Sequence, residues 1–222
     1  MFINRDRNDL HEEFAVAIDE ALVQKYSYPR SVYPLVKRLM DIILSLIGLV
    51  LVAPILLCFC VAIKLETPGP AFYSQERVGR NGKYFKIIKL RSMGLDAEIK
   101  GAQWAIKDDP RVTKIGAFIR KTRIDEIPQL LNVLQGDMSM LGPRPERPMF
   151  TAQFNEEIPH FVKRLAVKPG VTGWAQVNGG YDIDAKEKLK LDLYYIENRS
   201  LKIDFKIIVK TVKIVFTGEG AR

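Results

Sequence analysis

The span from Arg120 to Pro148, RKTRIDEIPQLLNVLQGDMSMLGPRPERP, sets an adjacent acid pair, Asp125 and Glu126, among Arg120, Arg123, Arg144 and Arg147. Carboxylates surrounded by guanidinium groups point to phosphate chemistry rather than to a neutral glycosidic bond, because planar N–H forks match phosphate oxygens. A carboxylate can attack phosphorus to give an acyl phosphate, and cations, with a divalent ion, then meet the charge that develops. Pro143-Arg144-Pro145 restricts the backbone on both sides of one guanidinium, which preorganises that cation.

A helix must hold the acid pair. Pro128 suits a first helical turn, Gly136 marks a stop, and Ile127, Leu130, Leu131 and Leu134 recur at helical spacing, predicting one buried face. Asp125 is then expected at the helix N-terminus, where free amides and the helix dipole favour the ionised carboxylate a nucleophile needs. A simple N-cap with no chemistry occupies the same place, so the spacing alone leaves both readings open.

The 222 residues fit one domain with appendages, and the net charge of +8 calls for an acidic partner: a phosphorylated substrate, an anionic membrane or nucleic acid. Cys58 and Cys60 are the only cysteines, two apart in an apolar run, and His11 and His160 read as surface residues, so neither a disulfide nor a zinc site is indicated. Residues 1–34 form a polar extension with a short helix expected at Leu10–Lys25 and a proline-marked linker, too charged at its start for a cleavable signal.

Residues 35–66 are the membrane segment. Ile42 to Ile63 holds 22 residues without a charge, about 33 Å if helical. Cations on both flanks give no inside–outside asymmetry, and Pro54 removes a helical hydrogen bond near the middle; a hairpin returning to the same face and a kinked full span both remain open. Arg38 and Asp41 are expected to pair on one helical face at its edge.

Residues 67–222 carry the rest. TPGP is a turn, Ala71–Tyr73 and Tyr84–Leu90 read as strands around a hairpin at Asn81-Gly82, and Lys86 and Lys89 fall on opposite strand faces. Leu95–Asp109 reads as loop or short helix. Val112, Ile115, Phe118 and Ile119 make an amphipathic helix that suits the core or a membrane surface. Helices are also expected within Glu146–Ala166 and at Asp184–Asn198, and a strand at Ala175–Val177. Lys202, Lys206, Lys210 and Lys213 share one face of a last helix, which suits either an anionic membrane surface or a solvated edge.

In order along the chain stand KRLMD, Ala53-Pro54, TPGPAFYSQERVGRNGKYFKIIKLRSM, the Arg120–Pro148 span and KPGVTGWAQVNG. Together these motifs resemble the monotopic polyprenyl-phosphate phosphoglycosyl transferases, bacterial sugar transferases that start capsule, exopolysaccharide and glycan assembly; the resemblance covers about residues 34–220. It implies an α+β fold: a small, mostly helical cytoplasmic domain with short strands, anchored by a proline-broken re-entrant helix and amphipathic interfacial helices. It implies transfer of sugar 1-phosphate from a UDP-sugar to polyprenyl (undecaprenyl) phosphate, with release of UMP, at the cytoplasmic face of the plasma membrane. By matching positions, Asp125 is the nucleophile and the protein ligand to Mg2+, and Glu126 assists as base or metal aide. The same matching implies that Lys89 and Arg120 surround the substrate phosphates and that Pro143, Arg144 and Pro145 form the turn on the nucleotide side of the substrate. Expected partners include downstream glycosyltransferases and a second copy of the chain, and no nucleic acid. Many members follow VNG with Arg and Asn; here Gly180 and Tyr181 stand there, which puts the sugar specificity in doubt. A magnesium-dependent phosphohydrolase and a non-catalytic basic membrane scaffold are the alternatives.

Overall fold

A computed structural model describes residues 32–99, 101, 103, 106, 109–179 and 183–217; the expected helix at Leu10–Lys25, most of the linker, His11 and the Gly180-Tyr181 departure lie outside them. The described chain is a mixed, mostly helical fold. Its elements are α1 (Tyr33–Glu66), β1 (Phe72–Val78), β2 (Tyr84–Leu90), α2 (Lys114–Lys121), α3 (Gln129–Gln135), β3 (Ser139–Leu141), α4 (Pro148–Glu157), β4 (Gly170–Thr172), α5 (Trp174–Asn178), α6 (Ala185–Asn198) and α7 (Leu201–Thr217). β1 and β2 form an antiparallel hairpin with Tyr73 opposite Lys89, closed by Asn81 and Gly82 at φ 55° and 74°. That is the left-handed conformation an Asn-Gly pair tolerates. β1 runs on to Val78, beyond the expected Ala71–Tyr73, because β2 pairs with it along its whole length.

α1 inverts the burial of a soluble helix. Its most apolar stretch reaches a mean hydropathy of 3.0, yet Val50, Leu51 and Leu57 are about 70% exposed. A helix this long and apolar with its hydrocarbon face outward is a membrane-associated helix. It continues through Pro54 as one element. Both of its ends are fastened to the folded domain. At the N-terminal end Lys37 pairs with Asp204 at 3.2 Å, and Arg38 donates to the carbonyls of Val133 and Leu134 at the end of α3. Asp41 accepts from Ser139 Oγ at 3.0 Å and Met140 N at 2.9 Å. The expected Arg38–Asp41 pair is therefore replaced by two separate contacts, since each side chain finds an unsatisfied backbone group of the domain. At the other end Glu66 accepts from the amides of Lys114 and Ile115, which open α2, while Phe59 stacks on Phe118. Asp41→Ala would leave the Met140 amide unpaired and the buried Ser139 hydroxyl proton without its acceptor, at about 2–4 kcal/mol; thermal unfolding in detergent should show the midpoint falling by about 5–15 °C.

α3 packs on α1, where a Cβ on Gly48 would stand 2.9 Å from Leu130 Cδ1. Its inward residues are Gln129, Leu130, Asn132 and Val133, while Leu131, expected inside, is 39% exposed. Asn132 turns inward to act as a surrogate peptide at the edge of β2, donating to Lys86 O at 2.8 Å and accepting from Ile88 N at 3.0 Å. Gly136 ends α3 at φ 94°, as its type predicts.

The GPRP and KPGVTG turns meet backbone to backbone. β3 and β4 pair in parallel, and a Cβ on Gly170 or Gly173 would fall 2.1 Å from Gly142 N or O respectively, so only glycine permits the approach. The expected strand at Ala175–Val177 is instead the short helix α5. The strand hydrogen bonds end at Thr172, and Asn178 closes a helical turn by donating to Trp174 O at 2.8 Å. α6 starts at the N-cap Asp184, which accepts from Glu187 N. α7 buries Asp204 and Ile207 and leaves Leu201, Phe205, Val212 and Val215 exposed. His160 is exposed, as expected.

Candidate active site

Asp125 lies in a 3₁₀ turn, Ile124–Glu126, entered from Arg123 in the left-handed conformation, φ 57°. It is not the expected N-cap. Glu126 N bonds to Arg123 O, Ile127 N to Ile124 O and Leu130 N to Ile127 O. The turn thus runs into α3 with the leading amides already satisfied by backbone carbonyls, and a side-chain cap has nothing to satisfy.

The two acids of the pair have different surroundings. Asp125 is 7% exposed and opens on a cleft of about 1130 Å³, whose lining carries far more Arg and Lys than Asp and Glu. Glu126 does not line that cleft. Lys89 Nζ lies 2.9 Å from Glu126 Oε1, and Arg144 grips both oxygens of the same carboxylate as a fork, Nη1 to Oε2 at 3.1 Å.

Their ionisation diverges accordingly. Burial pushes Asp125 up to about 6; the charges of Lys89, Arg144 and Arg120 pull it down, and that of Glu126 pushes it further up. The helix amides expected to favour the ionised form of Asp125 are not within its reach, and desolvation, the largest influence, raises it instead. Burial also raises Glu126, but the charges and hydrogen bonds of Arg144 and Lys89 outweigh it and hold Glu126 well below the usual carboxylate range. Asp125 is thus the open carboxylate, raised by burial, and Glu126 the cation-held one, kept low by Arg144 and Lys89.

Lys89, Arg120, Arg144 and Pro145 line the cleft with Asp125. Pro143 does not; its carbonyl accepts from Gly170 N at 2.9 Å, which ties the turn to β4. Lys86 is exposed on the other face of β2, as the strand period predicts. Residues that the sequence did not assign to the site line it as well. Arg77 donates to Pro145 O at 3.2 Å from the cleft wall, and its guanidinium is brought down to about 10 by burial. Lys210 and Lys213, two of the four lysines on the α7 face, also line the cleft, with Lys210 5.5 Å from the Trp174 ring and bonded to Asn178. The regular lysine spacing was a signal of a common face but not of what that face meets.

Among the described residues, no group of three Asp, Glu, His or Cys side chains converges into a metal cage. Asp125, with the other cleft acids Glu98 and Glu146 each paired to a cation, suits a magnesium ion that takes most of its ligands from phosphate oxygens and water rather than from a dedicated protein cage.

Residues 32–218 match the bacterial sugar transferase family. The chain is 49% identical over 197 residues, 87% of its length and 47% of the relative's, to the UDP-N-acetylgalactosamine-undecaprenyl-phosphate N-acetylgalactosaminephosphotransferase of Aeromonas hydrophila. It is 41% identical over 220 residues, 96% of its length and 47% of the relative's, to the UDP-glucose:undecaprenyl-phosphate glucose-1-phosphate transferase of Escherichia coli K12. The exopolysaccharide production protein PSS of Rhizobium leguminosarum bv. phaseoli shares 43% identity over 194 residues, 83% of this chain and 97% of that one. The chain thus spans about half the length of the first two relatives and nearly all of the third.

Proposed function

The chain belongs to the bacterial sugar transferase family, and on that premise we propose that it moves a sugar 1-phosphate from a UDP-sugar to a polyprenyl phosphate through Asp125. The observation that carries this reading is the division of the acid pair: Glu126 is neutralised by Lys89 and Arg144, while Asp125 alone opens on the cation-lined cleft. An Asp125 oxygen attacks the sugar-bearing phosphorus, the bond from that phosphorus to the UMP oxygen breaks, and UMP leaves with the electron pair. An oxygen of the polyprenyl phosphate then attacks the same phosphorus, releases the Asp125 carboxylate and yields a lipid-linked diphosphosugar. Arg120, Lys89 and Arg144 face the charge that gathers on the phosphate oxygens. Glu126 acts as a strut that fixes Lys89 and Arg144, rather than as a metal ligand, because both its oxygens are already held by cations. Magnesium, held by Asp125 and the substrate's own oxygens, would supply further charge neutralisation at the diphosphate.

The two fastened ends of α1 support a re-entrant helix. A hydrocarbon core about 30 Å thick would place the ends of a spanning helix on opposite sides. Here Lys37, Arg38 and Asp41 at one end and Glu66 at the other all bind the one folded domain. A bend at Pro54 would let α1 enter and leave by the cytoplasmic face, where the nucleotide sugar is available, with the exposed apolar stripe of α7 along the same surface. The amphipathic placement of Phe118 on α2 fits that surface too.

The test is a panel of UDP-sugars, including UDP-N-acetylgalactosamine and UDP-glucose, incubated with polyprenyl phosphate and magnesium. UMP release matched by a lipid-linked diphosphosugar supports the transferase. Free sugar phosphate as the product would show water as the acceptor and replace it with a hydrolase. A pH dependence follows from Asp125. Since the nucleophile must be ionised and its proton leaves at about 6, kcat/KM should fall about tenfold per pH unit below that point and level off above it. An acid limb near pH 4 would place the reactive carboxylate elsewhere.

A further inference from the structure

A buried ionic cluster that the proposed transfer does not use runs inward from Glu146 and Lys188 in the cleft wall. Arg164, in the 3₁₀ turn Phe161–Ala166, is 3% exposed, and Asp192, on α6, is 1% exposed. Arg164 donates to Asp192 Oδ2 from Nε at 3.0 Å and from Nη2 at 2.7 Å. Its Nη1 lies 3.6 Å from Glu146 Oε1, and Lys188, one helical turn before Asp192, pairs with the same Glu146 oxygen. Two cations and two acids balance one another here.

A buried, balanced cluster is weak support for stability, since apolar side chains of the same volume often do as well. What singles this one out is where its remaining donor goes. Arg164 Nη2 also donates to the carbonyl oxygen of Arg144 at 2.9 Å. The next two carbonyls of that turn are taken as well, Pro145 O by Arg77 Nη1 and Glu146 O by Val78 N at 3.0 Å. Three consecutive carbonyls are therefore held by donors from β1 and from the Arg164 turn. The backbone that carries the Arg144 guanidinium to Glu126 cannot shift without breaking them.

We propose that Arg164 and Asp192 are positioning residues for the transfer: Asp192 orients the Arg164 fork, whose Nη2 holds the Arg144 carbonyl and so sets where the Arg144 guanidinium meets Glu126 and the cleft. The inference rests on the transferase reading above. A planar fork can serve a carboxylate and a carbonyl at once, whereas the single ammonium of a lysine serves them far less well at the same two positions. A displacement of the order of 1 Å at a group that orders the reacting atoms costs up to about 100-fold in rate.

The test assays Arg164→Lys and Asp192→Asn by single-turnover formation of labelled lipid diphosphosugar, each alone and combined with Arg144→Lys, with thermal unfolding recorded for every variant. Each single variant is expected to lose about 10- to 100-fold in rate with the fold retained. In the Arg144→Lys background neither should cost appreciably more, because the group they position has already lost its fork. Losses that multiply in the combined variants, or full activity in folded single variants, would overturn the inference. So would unfolding of both Arg164→Lys and Asp192→Asn, which assigns the pair a structural role alone. Wild-type protein that forms no lipid product would instead overturn the transferase reading, and the inference with it.

Discussion

Asp125→Asn should abolish formation of the lipid-linked product, by at least about 10⁴-fold, and at the same time make the protein more stable. The first effect follows because an amide cannot form the acyl phosphate. The second follows from burial. Asp125 loses its proton at about 6 in the folded chain against an ordinary value of 3.8. The folded state therefore binds the proton more tightly than the unfolded state, and stability contributed by the protonated form is lost as pH rises through the interval from about 4 to 6. Above that interval the ionised carboxylate costs about 1–3 kcal/mol. Asn carries no charge, so the variant should unfold several degrees higher at pH 7.5, and the gain should shrink as the pH is lowered towards 4. Calorimetry in detergent with parallel product analysis separates this outcome from a mere cap. A structural carboxylate replaced by Asn would leave turnover close to wild type.

Arg144→Ala should combine a loss of kcat/KM of about 10²–10³-fold with a loss of stability. Arg144 binds both oxygens of Glu126, and Lys89 alone would be left to neutralise a largely buried acid. Glu126 is held well below its ordinary value of 4.5, so its interactions contribute stability above about pH 4.5 that is lost as pH falls through the folded value. The destabilisation in Arg144→Ala should accordingly be full at neutral pH and fade in acid. Breaking a buried pair of this kind costs about 3–5 kcal/mol, and the half-exposed Arg144 and the remaining Lys89 place the expected loss at the lower end. The acid limb of kcat/KM should also move to higher pH, because the Arg144 charge is one of those that draw Asp125 down. Arg144→Lys should recover part of the stability, as a charge, and less of the rate, as it lacks the fork. A variant with wild-type kcat/KM would remove Arg144 from the site.

Stability and chemistry oppose each other at the acid pair. The burial that raises Asp125 weakens it as an anion at low pH, and in the proposed transfer it would limit the water able to compete with the lipid phosphate. Glu126 bears the complementary cost: it holds two cations beside Asp125 without entering the cleft. Neutralising both acids with four guanidinium groups would have been the simpler arrangement, but it would leave no carboxylate free to react.

The outline of this protein was legible in one dimension wherever the signal was local. The uncharged run of α1, the Asn-Gly turn between β1 and β2, the amphipathic α2, the Gly136 stop and the Asp184 start each depend on a few neighbouring residues, and each lies where its residue types predict. The ordered motifs likewise brought together Asp125, Lys89, Arg120 and Arg144, which the fold does collect around one cleft. Which acid of the pair is open was not legible, because adjacent residues carry no record of which one meets Lys89 and Arg144 across the chain. The same holds for the raised Asp125, set by burial rather than by its distance from a helix start. It holds for Asn132, whose amide docks α3 on β2, and for Arg38 and Asp41, which look like partners at three-residue spacing and turn instead to α3 and β3. Local propensity and pattern determine elements through contacts a few residues long. Desolvation and long-range ion pairing arise only once distant segments share one interior, and those two forces decided which carboxylate of the pair faces the cleft and which is held by cations.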